Sequence, residues 1–159
     1  MWIACVGVGG CAGDFGIANI AGSLSVGWLA QKHRMKMLLF WVYGARAVAV
    51  AVFLVAPKTA MTFYVFGAVL GVTWLATVPP TAGLVGKLFG ARYLATLFGL
   101  TLLSHQIGGF FGAWLGGIAV DSTGSYQWMW YADIVLAGLA ALVNLPIREA
   151  HPQSAAAVA

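Results

Sequence analysis

Five long apolar stretches, separated by short polar clusters, fill the chain. The first covers about residues 2–30, is interrupted only by Asp14, and ends at Gln31-Lys32-His33-Arg34-Met35-Lys36. The second covers 37–56, carries Arg46 near its middle, and closes at Pro57-Lys58. The third, 59–86, has no charge and leads into a cluster with Lys87 and Arg92. The fourth, 93–120, is uncharged and is followed by Asp121-Ser122-Thr123-Gly124-Ser125, a turn by composition. The fifth, 127–147, holds Asp133. A helix needs about 20 apolar residues to cross a bilayer core of about 30 Å. All five stretches reach that length, whereas membrane β-strands are much shorter and alternate. The pattern predicts an all-α, polytopic membrane protein with five transmembrane helices within residues 1–149, and a disordered tail over 150–159. Stretches one, three and four exceed the length needed, which leaves room for tilt or a break.

Composition removes the alternatives. Hydrophobic residues make up 62% of the 159 and charged residues 8%, against about 25% charged in a soluble domain. So few charges cannot cover a water-facing surface. The net charge of +4 does not form a nucleic-acid patch, because the basic residues sit between apolar runs as juxtamembrane residues do. With the Lys32–Lys36 loop in the cytoplasm, Lys87, Arg92 and Arg148 are cytoplasmic as well and only Lys58 faces out. This positive-inside pattern predicts an outside N-terminus and an inside C-terminus in the cell (inner) membrane. No Lys or Arg precedes Lys32, so a cleavable signal peptide is not expected. Cys5 and Cys11 would lie about 9 Å apart along one helix, too far for a disulfide, and read as small apolar fillers.

Ionisable residues inside a membrane are candidates for function because inserting one costs about 2.5–3.5 kcal/mol. Arg46 lies about 14 Å from the inner end of its stretch and Asp133 about 9 Å from the outer end of its own. A long guanidinium side chain can span the difference between neighbouring helices. Arg46 is therefore either an anion-binding residue or half of an intramembrane charge pair with Asp133. His105-Gln106 suits proton relay or carboxylate binding, or an interhelical hydrogen bond. Asp14, among Gly10, Gly13 and Gly16, is either a buried functional carboxylate or a mark of irregular structure. Thr73 and Thr77 share a helix face beside Trp74, just before Pro79-Pro80, where a helix bends. Gly108, Gly112 and Gly116 form a stripe that lets another helix approach closely. Gly7-Val8-Gly9-Gly10-Cys11-Ala12 fits a dinucleotide pattern but lacks a strand context and an acidic partner. No metal-ligand cluster and no nucleophile–base constellation appears, so neither a cofactor nor an enzyme activity is expected.

The loop after the first stretch, Gly27-Trp28-Leu29-Ala30-Gln31-Lys32-His33-Arg34-Met35-Lys36, resembles the G-x-x-x-D-R-x-G-R-R signature of the major facilitator superfamily. The runs Phe15–Gly22, Trp74–Pro79, Gly83–Val85 and Leu103–Gly117, the last followed by Asp121-Ser122-Thr123-Gly124-Ser125-Tyr126, are similar to the carboxyl-terminal half of bacterial monocarboxylate and oxalate–formate members. The resemblance spans about residues 15–149 and implies a partial C-terminal domain, helices 8 to 12 of a twelve-helix secondary carrier. It implies a small organic anion as substrate, with a coupled proton or by exchange. It also implies that an N-terminal half, or another membrane protein, completes the transporter, and that this chain alone is inactive. Gly27, Gln31, Lys32, Arg34 and Lys36 carry the loop signature, with Gln31 in place of its Asp and Arg34 in place of its Gly. The architecture implied makes Asn19, Thr73, Trp74, Thr77, His105 and Gln106 the substrate candidates and moves Arg46 and Asp133 toward a structural role. The competing expectation is a small, non-transporting membrane subunit that docks through the Gly108–Gly116 face.

Overall fold

The computed structural model describes residues 8–149, with side chains from Phe15 onward. Cys5, the expected tail over 150–159, the side chains of Cys11 and Asp14, and the start of the glycine-rich decoy lie outside the described residues. The described chain is helical throughout: α1 (Val8–Lys32), α2 (Met35–Val55), α3 (Ala60–Trp74), α4 (Val78–Phe89), α5 (Ala91–Thr123) and α6 (Gln127–Val143). Helices α3 and α4 lie end to end within the third apolar stretch, so six helices make five rods, as the hydropathy pattern predicts. Met35–Val55, Ala60–Phe89 and Ala91–Thr123 are each long and apolar enough to cross a membrane. Helix α6 is apolar but shorter, at 17 residues.

Boundaries differ from the sequence expectation in four places, three of them for a plain local reason. The third stretch is not one helix. Pro79 and Pro80 have no N–H to give the carbonyls of Leu75 and Ala76, so the i→i−4 ladder cannot pass through them. The Val78 N–H turns instead to the Leu75 carbonyl at 3.0 Å, and the prolines fall in the first turn of α4, where they cost nothing. The loop of 86–92 shrinks to Gly90 alone, whose φ of +78° turns the chain from α4 into α5. The expected turn at 121–125 begins later: Asp121 to Thr123 are helical, and Gly124, at φ +68°, is the left-handed C-cap. Finally, α6 ends at Val143 rather than running to Ile147.

The broadest contacts join α1 to α3 and α2 to α6. Gly22 lies so close to the Val72 backbone that no Cβ fits between them, and a Cβ on Gly71 would meet the Phe15 carbonyl at 2.8 Å. These two glycines let α1 and α3 pack backbone to backbone, as small residues do in membranes. Between α2, α3 and α6 sits an aromatic cluster. Phe53 stacks on Phe66 at 4.1 Å, and Trp130 and Phe63 meet its edges at 5.6 and 5.5 Å. Val50, one turn away, is fully buried. Helix α5 stands apart, packing mainly on α4 and, over a short stretch, on α6.

Candidate functional site at the helix break

The α3–α4 break brings several predicted residues together. Trp74 ends α3 and is 47% exposed. The Arg46 guanidinium lies over that ring, 4.9 Å from its centre, while Phe15 of α1 meets it edge-on at 6.1 Å. Helical side chains lean toward the N-terminus of their helix, so Arg46 reaches along α2 to the level of the break. The Leu75 N–H, freed by the end of α3, donates to Asn19 Oδ1 at 3.1 Å. Asn19 thus spans from α1 to the broken backbone. A Leu at position 19 would leave that N–H unpaired, and in a bilayer an unpaired amide costs about 1–3 kcal/mol. Asn19→Leu is expected to lower the midpoint of thermal unfolding in detergent, and an unchanged midpoint would show that the bond carries no weight.

The other candidates are placed differently. Thr73 is buried, and its hydroxyl donates back to the Val69 and Leu70 carbonyls at 2.9 and 3.2 Å, so its polarity is satisfied within α3. Thr77 lies in the break, and its carbonyl accepts from the Thr81 hydroxyl at 2.6 Å. His105 and Gln106 are exposed along α5. The expected Arg46–Asp133 ion pair does not form: Arg46 turns to Trp74, and the ion pair seen among the described residues is Lys87–Glu149. The geometric reason is the break itself, which offers the guanidinium an aromatic face at its own depth. The glycine stripe is covered at one end only. Gly116 packs against Met129 of α6 at 3.5 Å, but Gly108 and Gly112 face open space. A groove of about 550 Å³ between α2 and α3 is lined by apolar side chains such as Val48, Val52 and Val65, and is a seam between helices rather than a polar site.

At the N-terminal end of α2 the loop signature works through a residue the sequence analysis did not single out. Gln31 and Lys32 are the last residues of α1, and Gln31 is exposed without a hydrogen bond among the described residues. Arg34 occupies the N-cap of α2 and gives it no side-chain cap. Glu149 supplies one from the far end of the chain. Its carboxylate accepts from the Met35 and Lys36 N–H groups, each at 3.1 Å, and from the Lys87 ammonium at 3.1 Å. Lys36 reciprocates, donating to the Leu145 and Ile147 carbonyls at 3.0 and 2.8 Å. Burial alone raises the Glu149 pKa, but the two backbone N–H groups and Lys87 outweigh it, and the net shift is below the ordinary 4.5. One signal was available: of four acidic residues, only Glu149 adjoins a basic residue, Arg148.

Among the described residues there is no group of His, Cys, Asp or Glu able to hold a metal ion. A family model described as Major Facilitator Superfamily matches residues 5–158. No curated protein and no solved structure matches the chain. The matched region takes in all five apolar rods, the break beside Trp74 and the loop closed by Glu149. Such a protein is multi-pass and embedded in the lipid bilayer, and its class is that of secondary transporters rather than enzymes; the chain belongs to the Major Facilitator Superfamily.

Proposed function

We propose that the chain is part of a carrier for small organic anions of the monocarboxylate type, with its solute site at the α3–α4 break. The observation that carries this reading is the Arg46–Trp74 stack, a cation held at membrane depth where α3 unwinds. Broken helices are tolerated in a membrane where they line a cavity or meet other protein, and carriers bind solute at such breaks near the midplane. Asn19, Trp74 and Thr77 lie at or next to this break; Thr73 shapes it from within α3, and His105 and Gln106 are the contribution of α5. Coupling to a proton or exchange fits the same reading. The Lys36–Lys87–Glu149 end is the cytoplasmic one, in keeping with the positive-inside pattern, and residues 150–159 are a cytoplasmic tail.

The solute cavity of such carriers lies between repeats of helices, and α5 presents a long face that no described helix covers. A facing set of helices therefore completes the cavity, and vesicles holding only this chain are expected to show no saturable uptake of labelled lactate or oxalate. Robust saturable uptake would overturn the need for a second set. A second reading is favoured by the open Gly108 and Gly112: the chain docks on another membrane protein through α5. In that case Gly112→Leu abolishes association in a crosslinking assay, and normal association of the variant would exclude this face.

A further inference from the structure

Arg46 forms no ion pair among the described residues. Its Nε is buried and has no hydrogen-bond partner among the described residues, and its guanidinium lies over the Trp74 ring. A cation–π contact covers one face of the guanidinium and leaves the in-plane N–H edges free. Asp133, the nearest sequence candidate for a counter-ion, forms no ion pair with it. A cation in the bilayer interior without an acceptor is costly, and such residues pair with something or face a solute path.

A second unused donor lies at the same junction. Because Asn19 turns its Oδ1 to the Leu75 N–H, its Nδ2 is left as a donor with no hydrogen bond among the described residues. Arg46 reaches Trp74 from α2, and Asn19 reaches Leu75 from α1, so both meet adjacent residues of the break. The junction offers N–H donors and an exposed aromatic face, and the one side-chain carbonyl is already occupied. A carboxylate matches that set: two oxygens for the guanidinium edge, a lone pair for Nδ2, and an apolar body for the indole. A solute cation is poorly matched, because the strongest group present repels it.

We propose that Arg46 and Asn19, floored by Trp74, form the site that binds the carboxylate of the carried anion. This rests on the carrier reading above and deepens it by naming the groups that select charge.

The test is equilibrium binding of radiolabelled lactate, with oxalate as a competitor, to the full chain in lipid nanodiscs. Arg46→Gln is expected to weaken binding at least about tenfold, and Arg46→Lys by less, since an ammonium keeps the charge but loses the planar fork. Asn19→Asp keeps the acceptor for Leu75 and removes the amide donor, so it is expected to weaken lactate binding without loosening the break. Asp133→Asn is expected to bind as the parent does. Helicity by circular dichroism checks folding, and if Arg46→Gln does not fold, Arg46→Lys and Asn19→Asp decide. Parent-like binding by Arg46→Gln, or by both of those variants, overturns the site and leaves the organic-anion reading standing. A parent chain that binds neither lactate nor oxalate removes the site and the organic-anion reading together.

Discussion

Gly22→Leu is expected to disrupt the α1–α3 contact and to give the largest loss of stability of any single change in the described chain. The Cβ of any residue at 22 would overlap the Val72 backbone, which cannot swing aside as a side chain does. Overpacking ordinarily costs about 1–3 kcal/mol, and a leucine against backbone exceeds what the pair can absorb without separating. Separation would also pull Asn19 from Leu75 and Phe15 from Trp74, since both bridge the same two rods. The measurement is thermal unfolding in detergent with the elution profile of the purified protein. Gly22→Leu and Gly71→Leu should lower the midpoint sharply or aggregate, whereas Gly108→Leu should leave it unchanged, because nothing lies within 4 Å of a Cβ there. Equal effects at 22 and 108 would show that the α1–α3 contact is not the tightest one.

That contrast shows how far a sequence of this kind can be read. The five rods were legible because bilayer thickness sets a length scale that any apolar run either meets or misses. The break in the third rod was legible in kind from Pro79-Pro80, but its position was not. The missing N–H groups act on carbonyls four residues upstream, so the fault appears at 75–77 and ends α3 on Trp74. Helix-packing glycines were legible only as a class. The Gly108–Gly112–Gly116 spacing is more regular than Gly22 and Gly71, yet regular spacing describes one helix and cannot say whether a neighbour is present. Gly22 and Gly71 belong to different helices, and their pairing is a tertiary fact.

The candidate site divides along the same line. Asn19 and Trp74 come together at the break, as their positions on the first and third stretches allow. Arg46 joins them because its side chain reaches from α2 to the Trp74 indole at the end of α3. Charge complementarity had suggested Asp133 instead. Opposite charges in two apolar runs are a fair guide to pairing only when both side chains face the same gap, and facing depends on helix rotation. Glu149 escaped notice for a related reason: next to a polar, Ala-rich end it reads as tail, and only the return of 145–149 beneath α2 makes it a cap.

Glu149→Gln is expected to cost about 2 kcal/mol and to remove the acid limb of the stability profile. The carboxylate serves two donors at the N-terminus of α2, where charge–dipole attraction adds to the hydrogen bonds, and it balances Lys87. Loss of a helix cap costs about 0.5–2 kcal/mol and hydrogen bonds to a charged group are worth about 1.5–3 kcal/mol. Lys87 is partly exposed, so its ion pair adds little beyond this. The glutamine amide can still accept from one N–H but presents a donor to the rest, which sets the loss below that of a full deletion. The sign of the pH effect follows from the lowered pKa. The folded state holds the Glu149 proton less tightly than the unfolded state does, so its contribution is fully present above about 4.5 and is lost as pH falls through the lower folded value. Unfolding midpoints in detergent between pH 7 and pH 3 should therefore fall on the acid side for the parent and change less for Glu149→Gln. Because this carboxylate ties the α1–α2 link, Lys87 of α4 and the segment after α6 to one point, limited proteolysis should also cut the variant after Arg148 or Lys36 sooner than the parent. Parallel acid limbs in the two proteins would show that Glu149 is not the group that titrates.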